Sequence, residues 1–134
     1  MQYHQFINKV QEYAGFESTD DATRLTKATL ETLGERLSRK ERDDLASEIP
    51  EELKTYLVKR ENRDLFTVGE FFQRVEARAG CGLPRAIIGA RAVVMALREA
   101  VSTGELVDVI REFPSEYEEL FSKRPDAPLS PTIR

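Results

Sequence analysis

The sequence predicts an all-α protein, a single bundle of about eight helices, and three observations lead there. The chain carries nearly the same message twice. Phe6, Val10, Ala14 and Gly15 recur as Phe71, Val75, Ala79 and Gly80, at an offset of 65 residues. After one deleted loop residue, Ala22, Ala28, Leu33, Ser38, Glu41 and Pro50 recur as Ala86, Ala92, Leu97, Ser102, Glu105 and Pro114, at an offset of 64. Over residues 6–15 and 22–60, sixteen of forty-nine aligned pairs are identical, where ordinary residue usage supplies about three or four. Within each copy, apolar residues return at steps of three and four, the period of a helix buried on one side. No segment shows the alternation of β-branched residues that marks a strand.

Tyr3, Phe6, Ile7, Val10, Tyr13 and Ala14 form the stripe of an opening helix that Gly15 is suited to end. In the second copy Thr67 and Glu70 spell a T-x-x-E capping box before Phe71, Phe72, Val75 and Ala79, with Gly80 as the stop. A longer helix follows from about Asp20 to Leu37, and its counterpart starts at Pro84, a residue favoured in a first turn, and runs to about Val101. Ser38 to Glu41 and Ser102 to Glu105 each spell S-x-x-E and open a short helix, the serine capping a backbone N–H while the glutamate reaches back. Pro50 and Pro114 open the last helix of each copy, with Leu53, Tyr56 and Leu57, then Tyr117, Leu120 and Phe121, facing inward.

Residues 58–66, charged KRENRD included, read as the connector. Two copies fall short of the roughly three that a stacked solenoid needs. They are therefore expected to pack face to face about a pseudo-twofold axis as one domain over residues 1–124, repeat one spanning about 2–60 and repeat two about 67–124. Pro125, Pro128 and Pro131 disfavour helix, so residues 125–134 are expected to be a flexible tail unless a partner holds them.

Composition narrows the function classes. A formal net charge of −4 argues against a phosphate-binding surface for nucleic acid, which needs clustered positive charge. No apolar run reaches the ~18 residues of a membrane span, and the opening MQYHQF lacks the layout of a secretory leader, so a cytoplasmic protein is expected. A single cysteine, Cys81, and a single histidine, His4, leave no internal disulfide and no zinc spacing. No cofactor, metal or catalytic set is expected.

The opening Phe-x-x-x-Val-x-x-x-Ala-Gly, the segment from Leu30 to Ser38 and the segment from Leu45 to Leu53 resemble the bacterial family known as domain of unknown function 2267. The resemblance spans nearly the whole chain outside the tail. It supports the fold and implies no activity, ligand or catalytic residue. The second copy departs from the pattern with Arg98 where the first has Gly34 and with Phe113 before its proline.

Several residues invite chemistry. Cys81, before a helix, has the placement of an activated thiol, yet its counterpart is Phe16 and no histidine stands near, so a packed turn residue is expected. Glu48, Glu51, Glu52, Glu112 and Glu116 flank the two prolines and read as solvated helix caps rather than as an acid-base or hard-metal set. Arg36, Arg39, Lys40 and Arg42, interleaved with acids and without an aromatic, read as a solvated helix junction. Gly34, inside a helix, either marks a close helix approach or is a tolerated surface glycine.

The sharpest clue is a difference between copies. Arg24, Lys27, Glu31 and Glu35 become Ile88, Arg91, Met95 and Glu99, so the helix from Pro84 is apolar nearly all round. It is either the central helix of the fold or an interface to another chain through Ile88, Arg91 and Met95. The leading expectation is a non-enzymatic protein-interaction or scaffolding module, with a homo-oligomer or another protein as partner. The alternative is an enzyme or small-ligand binder with a charged cleft between the repeats, using Glu and Arg with Tyr13 or Tyr56.

Overall fold

A computed structural model describes residues 1–133 of the chain. The elements are α1 (Tyr3–Ala14), α2 (Thr19–Arg36), α3 (Arg39–Ala46), α4 (Glu51–Leu57), α5 (Val68–Ala79), α6 (Leu83–Ala100), α7 (Thr103–Arg111) and α8 (Glu118–Phe121), with a 3-10 turn over Ser115–Tyr117 before α8. Among the described residues there is no strand, and no single helix is long and apolar enough to cross a membrane.

The boundaries follow local chemistry. Gly15 and Gly80 end α1 and α5 at φ 70° and 68°, a left-handed conformation that costs a glycine little. Ser18, Ser38, Thr67 and Ser102 each accept an N–H three residues on, at 3.2, 3.3, 3.2 and 3.2 Å. These caps satisfy donors that a helix start leaves open. The reciprocal half of the expected boxes is not made. Glu70 instead pairs with Arg74, and the glutamates of the two S-x-x-E caps are displaced in a way described below.

Helices cross between the halves. α1 lies on α6 and α2 on α5 and α6, and α3 meets α7, while within the halves α2 packs on α4 and α1, and α5 on α6. Buried Phe6, Val10, Leu30, Leu33, Phe71, Val75, Val93 and Leu97 fill the seams, each contributing about 1.5–3 kcal/mol on leaving water. Positions equal under the 64-residue offset touch one another along the centre. Asp21 and Arg85 pair at 2.8 Å. Leu25 occupies the space over Gly89, where an added Cβ would fall 2.4 Å from Leu25 Cγ. α6 packs against α1, α2, α5, α7 and α8, and α2 against α1, α4, α5 and α6, so the two long helices share the centre.

Gly34 marks a close approach. A Cβ there would fall 1.7 Å from Leu57 O, the carbonyl that ends α4. In the second half the equivalent residues are Arg98 and Phe121, and the Arg98 guanidinium donates to Phe121 O. One half thus seats its last carbonyl on bare backbone, the other on a cation. The connector is pinned to the same end of the molecule: Asp64 N–H donates to Glu35 O at 2.9 Å, and Arg63 Nε to Arg36 O at 3.1 Å.

Candidate functional site

The face of α6 singled out by the sequence is occupied by the chain itself. Arg91 is fully buried. Its Nε donates to Glu119 O at 2.7 Å, and its Nη1 to Arg124 O at 3.2 Å and Ala127 O at 2.5 Å. Glu119 carboxylate oxygens accept from Ser130 N–H at 3.0 Å and Ser130 hydroxyl at 2.7 Å, with Lys123 Nζ at 3.2 Å. Burial pushes the Glu119 carboxyl up, and the bonds from Ser130 and Lys123 outweigh it, holding the group below the usual carboxylate range.

Residues 125–133 lie packed against the bundle, where a flexible tail was expected over residues 125–134. The segment makes two turns, closed by Ala127 N–H to Arg124 O at 3.1 Å and Ile133 N–H to Ser130 O at 3.0 Å. Pro125 and Pro131 hold the second place in those turns, where their fixed φ is favourable. Leu129 and Ile133 pack on the core, and a groove of about 340 Å³ remains between the tail and Pro84, Ile87 and Ile88. Arg134 lies outside the described residues. Of the three expected interface residues, Ile88 and Met95 are half-buried, while Arg91 is enclosed by its own chain and presents nothing to a partner. An arginine at mid-helix among Ala90, Ala92, Val93 and Val94 was the available signal, since a buried guanidinium needs acceptors, and loops and last helical turns leave carbonyls free.

The second assembly is the crossing of α3 and α7. Glu112 accepts Ser38 N–H at 2.7 Å and its hydroxyl at 2.6 Å, and Glu48 accepts Ser102 N–H at 2.7 Å and its hydroxyl at 3.3 Å. Glu48 and Glu112, expected as solvated acids, cap helices of the opposite half. Glu116 caps α5 of its own half, accepting Val68 N–H at 2.7 Å. With their cap positions taken, Glu41 and Glu105 turn toward each other, joined by Asp108. A carboxylate oxygen from each of the three lies within 4.8 Å of the others. Burial, then the charges of Glu41, Asp44 and Glu48 and a hydrogen bond to the Glu41 carboxylate, push the Glu105 carboxyl up to about 7.

A third cluster ties α2 to α5. Glu31, buried, meets Arg60 at 2.6 Å, Lys59 at 3.5 Å and Arg78 at 3.5 Å. Glu35 meets Arg78 at 2.8 Å and Arg74 at 3.0 Å. On the facing pair α1 and α6, Glu99 accepts from Tyr13 and lies 3.8 Å from Lys9. Tyr13 and Tyr56, the tyrosines of the cleft alternative, are thus committed to helix contacts, Tyr56 beneath Lys27 at 5.1 Å from its ring.

The basic junction is not uniformly solvated. Arg39 and Lys40 are exposed, but Arg36 and Arg42 are buried. Arg36 Nε donates to Phe66 O at 3.2 Å over the rings of Phe113 and Tyr117, and Arg42 donates to the carbonyls of Arg60 and Glu61. The connector has no helical partners for these carbonyls, and the two arginines supply the donors. Cys81 is half-buried in its turn, and burial pushes its thiol up, only partly offset by Arg85. That is the reverse of an activated nucleophile. His4 is exposed on α1.

An all-helical bundle bound together by cross-half caps and buried ion pairs is the class that these elements define. The family model described as "Uncharacterized conserved protein (DUF2267)" matches residues 3–120, and the chain belongs to that family. No curated protein matches the chain. Residues 121–134, tail included, lie outside the matched span.

Proposed function

We propose that this protein is a non-enzymatic cytoplasmic interaction module, two copies of a four-helix unit interlocked about a pseudo-twofold axis. Its binding site is the surface of α6 and α8, which takes a proline-bearing, non-helical segment, with its own tail as the resident occupant. The symmetry reading draws support from the paired bonds Ser38 to Glu112 and Ser102 to Glu48 and from the touching positions 21 with 85 and 25 with 89.

One observation carries the binding reading: a fully buried arginine donates through Nε and Nη1 to three main-chain carbonyls, Arg124 O at the root of the tail and Ala127 O within it among them, while its Nη2 faces only the Glu119 carboxylate at 3.6 Å. Recognition of main-chain groups by a fixed side chain is a peptide-binding arrangement that tolerates different side chains on the ligand. A guanidinium at this depth is stable only while acceptors face it, so a departing tail leaves a site that demands replacement.

The test removes residues 125–134 and adds a peptide of residues 124–134 in trans. Ser130→Asp in the full chain, which sets a second charge beside Glu119 and expels the tail, serves as an independent receptor. One-to-one peptide binding by calorimetry, lost on Arg91→Met, supports the site. Folded receptors that ignore the peptide refute it.

A further inference from the structure

Each S-x-x-E cap ordinarily returns its glutamate to the backbone N–H of the serine. In this protein those N–H groups are taken by Glu112 and Glu48, at 2.7 Å each, and Glu41 and Glu105 are released into the contact between α3 and α7. Both are buried, Glu105 at 8% exposure and the Glu41 side chain at 12%. The Oε2 atom of each is sealed from solvent and meets no N–H or hydroxyl donor, so only a proton shared between the two carboxyls joins them in the absence of a cation. An ionised carboxylate oxygen left so is costly, and two facing each other are costlier, unless a positive charge lies between them.

The side chains nearby do not supply that charge. Lys40 sits 3.8 Å from the other oxygen of Glu41 and is engaged with Asp44 at 2.8 Å. Its equivalent in the second half is Gly104, and among the described residues no lysine or arginine pairs with Glu105. Arg111 reaches Asp108 at 3.7 Å from an exposed position. Asp44 and Glu48 add further negative charge. The exposed Asp108 leaves one side of the cluster open to water.

We propose that Glu41, Glu105 and Asp108 bind one hard divalent cation, of the class of Ca²⁺, Mg²⁺ or Mn²⁺, clamping α3 of the first half to α7 of the second. The donor set is all oxygen, with no imidazole or thiolate, which favours hard cations over zinc or copper. Water completes the shell on the Asp108 side. The sealed Oε2 atoms are the donors that the cation satisfies.

Chelator-treated protein at mildly alkaline pH is titrated separately with Ca²⁺, Mg²⁺ and Mn²⁺, read by thermal unfolding against sodium chloride of equal ionic strength. Mn²⁺ binding is counted by electron paramagnetic resonance. The expected result is a saturable rise in Tm with at least one of the three ions and one Mn²⁺ per chain. Glu105→Gln and Glu41→Gln should each weaken Mn²⁺ binding roughly tenfold or more. Their Tm in chelator should stay at or above that of the parent, because each removes a buried repulsion. No shift beyond the salt control with any of the three ions, or binding unchanged in both variants, overturns the proposal and leaves a proton alone between the two glutamates.

Discussion

Gly34→Ala sets two known effects against each other. An alanine inside α2 gains about 1 kcal/mol of helix propensity over glycine. Its Cβ, however, would lie 1.7 Å from Leu57 O and 2.8 Å from Leu57 C. Ordinary contact at about 3.4 Å requires α4 to retreat by roughly 1.7 Å. The obstacle is backbone, so no rotamer change relieves it, and the retreat lifts Leu53 and Leu57, both fully buried, away from their neighbours. Overpacking of this kind costs about 1–3 kcal/mol and sits at the upper end where a main chain must move. The net loss is about 2 kcal/mol after the propensity gain, equivalent to a fall in Tm of about 6–10 °C for a chain of this length. Urea and thermal unfolding followed by circular dichroism measure it. Gly104→Ala in α7 is the control: nothing lies within 4 Å of its Cβ, so only the propensity gain remains and stability rises by up to about 1 kcal/mol. A Gly34→Ala protein as stable as the parent, or more so, refutes the close-approach reading.

The Glu31 carboxyl is pushed up by burial, but the Arg60 hydrogen bond and the charges of Arg78 and Lys59 outweigh this and hold it below its usual value. Its contribution is therefore present above the unfolded pKa of about 4.5 and is lost as pH falls through the lower folded value. Glu31→Gln should cost about 1.5–3 kcal/mol at neutral pH, with the two unfolding curves converging in acid; a gap that persists there would contradict the linkage. Cys81 should react with iodoacetamide more slowly than a free thiol until the protein is unfolded, and a native rate equal to or above that of free cysteine would reinstate the activated thiol. A fragment of residues 1–64 should be largely unfolded by circular dichroism, since α1 loses α6 and α2 loses α5 and α6, leaving only the packing of α1, α2, α3 and α4 on one another; a stable folded monomer would show the halves to be independent.

Element order and most helix boundaries were legible because they are written in local chemistry, the exception being the helix expected from Pro114, which is a 3-10 turn over Ser115–Tyr117 followed by the single turn of α8. Serine and threonine caps, prolines in first turns and glycines at φ near 70° act within a few residues of themselves. Gly34 was legible too, as a residue that costs its helix stability unless something lies against it. The fates of charged residues were not. Periodicity assigns a polar residue to the outside, yet Glu31, Arg36, Arg42 and Arg91 are buried, because acceptors and donors from the connector, the tail and a facing helix meet them there. Glu48 and Glu112 suited the starts of their own last helices equally well, and only the crossing of α3 with α7 turns them toward Ser102 and Ser38. The identical pairs Glu48 with Glu112 and Asp44 with Asp108 held the available hint, since exposed caps alone do not require the same acid in both copies.

The exchange of helices between halves has a consequence for synthesis. α1 rests on α6, whose first residue is 80 positions after the start of α1, so at about 5–20 residues per second the nascent chain waits roughly 4–16 s before that seat exists. During that interval Phe6, Ile7 and Val10 on α1 have only α2 and α4 for cover. Folding that depends on such distant pairings is slow for its size, and the emerging first half should be a client of ribosome-associated chaperones until α6 clears the exit tunnel.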